Sequence, residues 1–122
     1  MAKILSYKDL KVWEKAHELV LLIYRLTAKF PKTESFALID QIKRAATSIV
    51  LNIAEGSGQP TKKSFCLYLE RSKSSLLEVV ACLRIATQEE MIKSSDTANI
   101  EGLLQELYFK IIALRKSMIV PR

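Results

Sequence analysis

The sequence predicts an all-α protein that folds as an antiparallel, up-and-down four-helix bundle. Its 122 residues include only three glycines and three prolines, too few for the tight hairpin turns of an all-β fold. Three short segments of helix-breaking residues interrupt the chain, at residues 30–33, 56–60 and 93–96. Between these breaks, apolar residues recur at spacings of three and four, which is typical of helices with one buried face.

The first two predicted helices lie on either side of Pro31. One spans residues 9–29 and ends just before Phe30, because Phe30 precedes Pro31 and the residue preceding a proline avoids the α conformation. The other spans residues 34–55, with Thr33 as its N-cap and Gly56 as the glycine that follows its last turn. The residues predicted to be buried on these two helices are Trp13, Ala16, Leu19, Val20, Ile23, Leu26, Thr27, Ile39, Ile42, Ala46, Ile49 and Ile53.

The other two predicted helices occupy the second half of the chain. The third spans residues 61–91 and begins at Thr61, or at Gln59 with Pro60 following it. The fourth spans residues 96–119 and carries a heptad-like apolar face. The residues predicted to be buried here are Phe65, Leu69, Ser72, Leu76, Val79, Leu83, Ala86, Ile100, Leu103, Leu104, Leu107, Ile111, Leu114 and Met118.

Short connections favour antiparallel packing of four such helices in one domain over residues 1–122. A chain of this length buries enough surface to fold without a disulfide or a metal. Cys66 and Cys82 lie on the same predicted helix, about 24 Å apart along its axis, which is beyond disulfide reach. Free thiols fit a reducing compartment.

The longest apolar run has only six residues, from Leu19 to Tyr24. A membrane span needs about twenty, so we expect no membrane partner. The first residues, Met1 to Ser6, lack the long apolar stretch and the cleavage site of a secretion signal. The predicted location is therefore the cytoplasm.

Two helices carry apolar residues outside their predicted buried faces. On the first helix these are Leu10, Leu21 and Tyr24, with His17 among them, and on the fourth they are Tyr108, Phe109, Ile112 and Ile119. Extended apolar surface of this kind is typical of an interface. We therefore predict a homo-oligomer, with a monomer that has an apolar surface as the alternative.

The charge of the chain indicates an anionic partner. Nineteen Lys and Arg residues against thirteen Asp and Glu give a net charge of +6, which favours RNA, DNA or an acidic protein. The basic residues are scattered, and a soluble protein with a modest positive excess is the alternative. The predicted nucleic-acid-binding residues are two pairs, Lys43 with Arg44 and Lys62 with Lys63, which we expect to flank one helix corner.

No catalytic, metal-binding or cofactor-binding set is recognisable. His17 is the one histidine, and no second histidine and no cysteine near it in sequence offers a metal site or a Cys–His pair. Glu14 and His17 form one Glu-x-x-His, whereas a diiron bundle needs two. Gly56-Ser57-Gly58 follows a helix instead of a strand, which does not fit a phosphate loop. We predict a protein that is not an enzyme.

A polar stripe of Gln41, Arg44, Ser48, Asn52 and Glu55 lies within about 80° on the second helix. It is either a solvated face or a structural element. Glu55 opposes the helix dipole in the last turn, so it should need a partner. Candidates are the first amides of the third helix and a basic side chain, Arg44 or Lys62. We hypothesise that Glu55 and Asn52 fasten the corner between the second and third helices.

Several segments resemble a known family. They are Tyr7-Lys8-Asp9-Leu10-Lys11-Val12-Trp13-Glu14-Lys15-Ala16, Ile23-Tyr24, Phe30-Pro31, Gln41-Ile42-Lys43-Arg44-Ala45-Ala46-Thr47-Ser48-Ile49 and Asn52-Ile53-Ala54-Glu55-Gly56. The sequence resembles the four-helix bundle proteins encoded by intervening sequences in bacterial 23S ribosomal RNA genes. It departs from the family pattern at Val50, where many relatives have proline, and at Ser74, where many have glycine.

The resemblance implies an antiparallel four-helix bundle assembled as a ring, a pentamer. It also implies a distant relationship to the accessory protein of diversity-generating retroelements, a basic ring that binds nucleic acid and a reverse transcriptase. Together, the residues and the resemblance predict a non-enzymatic homo-oligomer that binds RNA or DNA. The alternative is a protein–protein scaffold without nucleic-acid binding, whose partners would survive nuclease treatment.

Overall fold

A computed structural model describes residues 10–31 and 36–119. Within these residues the chain forms four helices and no strand, which confirms the predicted all-α class. The helices are α1 (Lys11–Thr27), α2 (Phe36–Ser57), α3 (Lys62–Gln88) and α4 (Ser94–Ser117). The predicted N-cap Thr33 and the predicted start of the first helix at Asp9 lie outside the described residues.

The helices form a square in which each one packs on its neighbours in sequence and α1 also packs on α4. The diagonal pairs, α1 with α3 and α2 with α4, have no Cα atoms within 8 Å of each other. The α2–α3 contact is the most extensive and the α3–α4 contact is the least. The outer side formed by α1 and α2 therefore lies opposite the outer side formed by α3 and α4.

Cross-helix contacts show that neighbouring helices are antiparallel. Gln41 near the start of α2 bonds to Glu78 in the second half of α3. Lys15 near the start of α1 lies 3.4 Å from Glu106 in the second half of α4. The bundle therefore has one end with the starts of α1 and α3, and another end with the starts of α2 and α4.

The core consists of apolar side chains that the spacing largely predicted. On α1 the buried face is rotated by about one residue: Val12 is buried, whereas Trp13 and Val20 are only half-buried. The reason is that α1 packs on both α2 and α4, so its buried face points between them. The largest fully buried apolar side chains are Leu19, Ile23, Ile42, Ile49, Ile53, Leu69, Val79, Leu107 and Ile111.

The connection between α3 and α4 differs from the prediction. Glu90 has a φ of 57°, in the left-handed region, which ends the helical path. As a result α3 ends at Gln88 instead of residue 91. The fourth helix begins at Ser94 instead of residue 96, with Lys93 as its N-cap residue. At the other end of α3, the predicted N-cap is confirmed, since the Thr61 hydroxyl accepts a hydrogen bond from the Ser64 N–H at 3.0 Å.

The interpretation of Gly56 as the glycine that follows α2 is wrong. It lies within α2, and no glycine of the described residues has a positive φ. Its actual constraint is steric, because a Cβ atom here would lie 2.8 Å from Phe65 Cδ1 and 2.8 Å from Tyr68 Cβ. Glycine is therefore what allows the end of α2 to touch the start of α3.

The first turn of α4 is stabilised by Asp96. Its carboxylate accepts a hydrogen bond from the Lys93 backbone N–H at 3.1 Å and lies 3.6 Å from Lys29 Nζ. The backbone hydrogen bond first, and the charge of Lys29 second, lower the pKa of Asp96 below its usual range near 4. A lowered pKa in the folded state means that the ionised carboxylate favours folding.

Replacing this carboxylate is expected to remove a pH-dependent part of the stability. At pH values above the usual pKa of aspartate, the wild type should melt at a higher temperature than the Asp96→Asn variant. The difference between the two melting temperatures should shrink as the pH falls through the lowered pKa of Asp96, since the aspartic acid and the asparagine are then both neutral. Thermal melts between about pH 2 and 7 measure this difference. Ser95→Ala, a change at an exposed residue in the same turn, is the control, and its difference in melting temperature from the wild type should not depend on pH. A difference for Asp96→Asn that is the same at every pH would contradict the assignment.

Both cysteines lie on α3 and are free, as predicted. Cys66 is half-buried and Cys82 is buried. Burial, and then the nearby charge of Glu78, raise the pKa of the Cys82 thiol, which keeps it protonated and unreactive at neutral pH. None of the helices that the structure describes has the length and apolarity needed to cross a membrane.

Candidate functional site

The contact between α2 and α3 is a seam of small polar side chains. The hydroxyl oxygens of Ser48 and Ser75 lie 2.8 Å apart, and the Ser72 hydroxyl donates to the Ile49 carbonyl at 2.9 Å. Asn52 Nδ2 donates to the Ser48 carbonyl at 2.9 Å. The middle of the predicted polar stripe therefore faces a helix instead of solvent, and its small residues let the two backbones approach closely.

The remaining members of the polar stripe lie at the surface. Gln41 donates to the Glu78 carboxylate across the seam. Arg44 is exposed and its Nε lies 3.0 Å from Asp40 Oδ2 on the same helix. The exposed carboxylate of Glu55 makes no hydrogen bond or ion pair with the described residues. The partners hypothesised for it do not contact it, and the close packing of Gly56 holds the corner instead.

Trp13 contributes to the outer surface of α1. Its indole is half-buried and stacks on the imidazole of His17, with ring centroids 5.0 Å apart and planes 9° apart. This stacking is a structural role for the one histidine. Across residues 10–31 and 36–119, no group of three or more His, Cys, Asp or Glu side chains is placed to hold a metal ion.

The outer side of α1 and α2 carries an exposed apolar surface, which we call the α1–α2 face. It consists of Leu21 and Tyr24, each 46% exposed, and Leu51, 56% exposed. Lys43 Nζ lies 4.8 Å from the centre of the Tyr24 ring, in a cation–π contact. The prediction of a surface apolar stripe on the first helix is confirmed for Leu21 and Tyr24, whereas Leu10 packs against the core.

The opposite side of the bundle carries a groove of about 650 Å³, which we call the α3–α4 groove. Its walls include Leu77 of α3, 50% exposed, and Phe109 of α4, 58% exposed. Arg84 and Glu101 line it as well, and neither has an ion-pair partner among the described residues. The predicted stripe on the fourth helix is confirmed for Phe109 and Ile119, whereas Tyr108 and Ile112 are half-buried. Leu77 was missed because the sequence does not show how far α3 and α4 separate.

The two predicted basic pairs lie at different ends of the bundle. Lys62 and Lys63 are exposed at the start of α3 and line a second groove of about 710 Å³ together with Arg115. Lys43 lies fourteen residues before the last residue of α2, which places it about 20 Å along the axis from that corner. The expectation that both pairs flank one corner is therefore wrong.

Comparisons with known proteins agree with the fold. A family model described as "23S rRNA-intervening sequence protein" matches residues 8–113. A crystal structure of a protein of unknown function from the S23 ribosomal protein family of Bacteroides thetaiotaomicron VPI-5482 is 26% identical, with a TM-score of 0.78. The alignment covers 86% of this chain and 98% of that chain. None of the curated proteins searched matches this chain.

Proposed function

Since the chain belongs to the 23S rRNA-intervening sequence protein family, we propose that it is a homo-oligomeric bundle that binds nucleic acid and is not an enzyme. The observation that carries the proposal is the pair of exposed apolar surfaces on opposite sides of the bundle. A ring, the pentamer that the family resemblance implies, is the assembly that uses both surfaces. The nucleic-acid part is supported by the excess of basic residues.

The position of the apolar surfaces favours head-to-tail association. A symmetric dimer buries one patch against its own copy and leaves the other patch exposed. The α1–α2 face and the α3–α4 groove are different surfaces on opposite sides, so contact between the face of one copy and the groove of the next buries both. Such an arrangement forms a closed ring when the rotation between copies closes.

Charges support this pairing of surfaces. Tyr24 and Lys43 on the α1–α2 face lie toward the same end of the bundle as Arg84 and Glu101 in the groove. Copies packed side by side with their axes in the same direction bring these residues to the same level. Lys43 of one copy then lies opposite Glu101 of the next, where the two charges attract each other. Arg84 of that next copy lies opposite the Tyr24 ring, where a cation–π contact can form.

The basic excess supports an anionic partner. The chain carries a net charge of +6, and the candidate contacts are Lys43, Arg44, Lys62 and Lys63. Lys62 and Lys63 are exposed and form no ion pair with the described residues. Lysines in this state are free to neutralise phosphates and to release the counterions bound to them.

Binding to nucleic acid is expected to weaken steeply with salt. If an assembly contacts six or more phosphates, its affinity should fall by roughly a thousandfold or more between about 50 and 200 mM salt. Fluorescence anisotropy with labelled RNA and DNA measures this, and a sucrose series of equal osmolarity is the control. Absence of binding at low salt, or binding that ignores salt, would contradict the nucleic-acid part of the proposal.

A protein–protein scaffold is the second candidate, and the α3–α4 groove is the observation that favours it. An amphipathic helix of a partner, such as a reverse transcriptase, could occupy a groove with apolar walls and two charges. Nuclease treatment of purified complexes separates the two functions. A partner that stays bound after the nucleic acid is digested favours the scaffold.

A further inference from the structure

The positive charge of the chain is concentrated at one end of the bundle. Each helix can be divided at its midpoint, near Leu19, Ala46, Ser75 and Gln105. Among the residues that the structure describes, the half that holds the starts of α1 and α3 contains nine basic and five acidic residues, a net charge of +4. The other half, counted over the described residues, contains six of each and is neutral. We call the first half the basic end.

Helix dipoles do not produce this difference. Each end of an antiparallel four-helix bundle has two helix starts and two helix ends, so the partial charges of the termini cancel at both ends. The side chains therefore decide which end attracts an anion.

Ion pairs occupy most of the acidic residues at the basic end. Glu70 lies 3.1 Å from Lys73 Nζ and 3.1 Å from Arg115 Nε. Glu106 lies 3.4 Å from Lys15 and 3.9 Å from Lys110. Each of these two acids thus serves two basic residues, and the surplus of cations remains.

Three exposed lysines at this end have no acidic partner among the described residues. Lys62 and Lys63 share the second groove with Arg115, and Lys116 follows Arg115 in the last turn of α4. The unpaired carboxylate of Glu55 lies on α2, outside that groove. The groove also contains Glu70, whose carboxylate is already paired with Lys73 and Arg115. The surface at the start of α3 and the end of α4 therefore presents Lys62, Lys63 and Lys116 as its uncommitted cations.

The alternative pair at the neutral end is already committed within the chain. The Arg44 guanidinium is paired with Asp40, at 3.0 Å. The Lys43 ammonium lies over the Tyr24 ring, on the face assigned above to self-association. A phosphate that binds Lys43 or Arg44 would have to displace these contacts. Lys62, Lys63 and Lys116 make no such contacts within the chain.

We propose that the basic end, through Lys62, Lys63 and Lys116, contacts the phosphate backbone of nucleic acid, and that the Lys43–Arg44 pair does not. This rests on the proposed nucleic-acid-binding function. Side-by-side association places the basic ends of all copies on the same face of the assembly. Each copy then adds four positive charges to that face, which becomes the binding surface, while the opposite face stays neutral.

Two double variants that remove the same number of charges test the assignment. Lys62→Gln with Lys63→Gln should weaken binding of labelled RNA and DNA by about tenfold or more at 0.1 M salt. It should also reduce the slope of log K against log salt by about two for each engaged copy. Arg25→Gln with Arg44→Gln, the matched control, removes two exposed charges of the neutral end that are not among the residues assigned to self-association. It should change the affinity by less than about threefold.

Circular dichroism and light scattering of each variant verify that fold and assembly are retained. Lys116→Gln is an independent second variant, expected to lower the slope of log K against log salt by about one for each engaged copy. Unchanged binding by the Lys62/Lys63 variant, or an equal loss in the Arg25/Arg44 variant, overturns the assignment of the surface and leaves the proposed function standing. Absence of binding by the unaltered protein overturns the proposed function itself, and the surface with it.

Discussion

Tyr24→Glu and Phe109→Glu are each expected to convert the assembly into single chains. Tyr24 is 46% exposed on the α1–α2 face and Phe109 is 58% exposed on the α3–α4 groove, so the fold of one chain tolerates either change. Burying a carboxylate in a largely apolar contact between copies costs several kcal/mol even where a cation such as Lys43 lies nearby, because the ion pair does not repay the full cost of removing the charge from water. That is enough to lower the association constant by about a thousandfold. Light scattering at micromolar concentration measures the mass.

Mixing the two variants is the decisive part of this experiment. The Tyr24→Glu chain keeps an intact groove, and the Phe109→Glu chain keeps an intact face. A head-to-tail contact lets these two join through one good interface, which gives a dimer of one chain of each kind and no larger species.

The matched control is Ile85→Glu, which changes an apolar residue of α3 with 48% exposure that does not line the groove. This variant should assemble as the wild type does. A mixture that remains monomeric rules out the pairing of the face with the groove. A wild-type protein that is strictly monomeric rules out assembly altogether.

Gly56→Ala is expected to destabilise the bundle by about 1–3 kcal/mol, the usual effect of overpacking a close contact. The added methyl would lie 2.8 Å from both Phe65 Cδ1 and Tyr68 Cβ. The Tyr68 atom is fixed to the backbone of α3, so the two helices must separate. Urea denaturation followed by circular dichroism measures the loss as a lower midpoint.

Gly102→Ala is the matched control for this steric argument. Gly102 lies inside α4, and a Cβ atom there would meet nothing within 4 Å. The same substitution should therefore stabilise the protein by about 0.5–1 kcal/mol, because alanine loses less backbone entropy in a helix. A change of the same sign and size in both variants would refute the steric role of Gly56.

The sequence predicted the fold class because helical spacing repeats over four long segments and shows the buried side of each. The sequence did not predict helix ends that depend on the conformation of a single residue. The end of α3 is set by Glu90, whose backbone lies in the left-handed region. A sequence does not show which glutamate will adopt that conformation. Gly56 carries a signal that is ambiguous, since glycine serves a helix terminus and a close helix contact equally well.

The candidate surfaces were predicted only in part, for a similar reason. Leu21, Tyr24 and Phe109 depart from the helical stripe of their own helix, which a sequence shows directly. The exposure of Leu77 depends on the separation between α3 and α4, which is set by packing elsewhere in the bundle. The polar stripe was also ambiguous, because its partners Ser72 and Ser75 lie on another helix.

The basic pairs show how chain position and spatial position diverge in a bundle. Lys43 and Lys62 are separated by nineteen residues in sequence, which suggested a common corner. Most of those residues belong to α2, and a helix carries the chain about 1.5 Å further with each residue. The two pairs therefore belong to different ends, a distinction that net charge alone does not reveal.

The seam between α2 and α3 also bears on the order in which the chain folds. The most extensive helix contact joins two segments separated by four residues, 58–61, so the loop that must close is short and its entropy loss is small. The α1–α4 contact, in contrast, closes a loop that contains most of the chain. Contacts that close short loops form sooner than those that close long ones. We therefore expect the α2–α3 hairpin to form first and α1 and α4 to pack onto it afterwards.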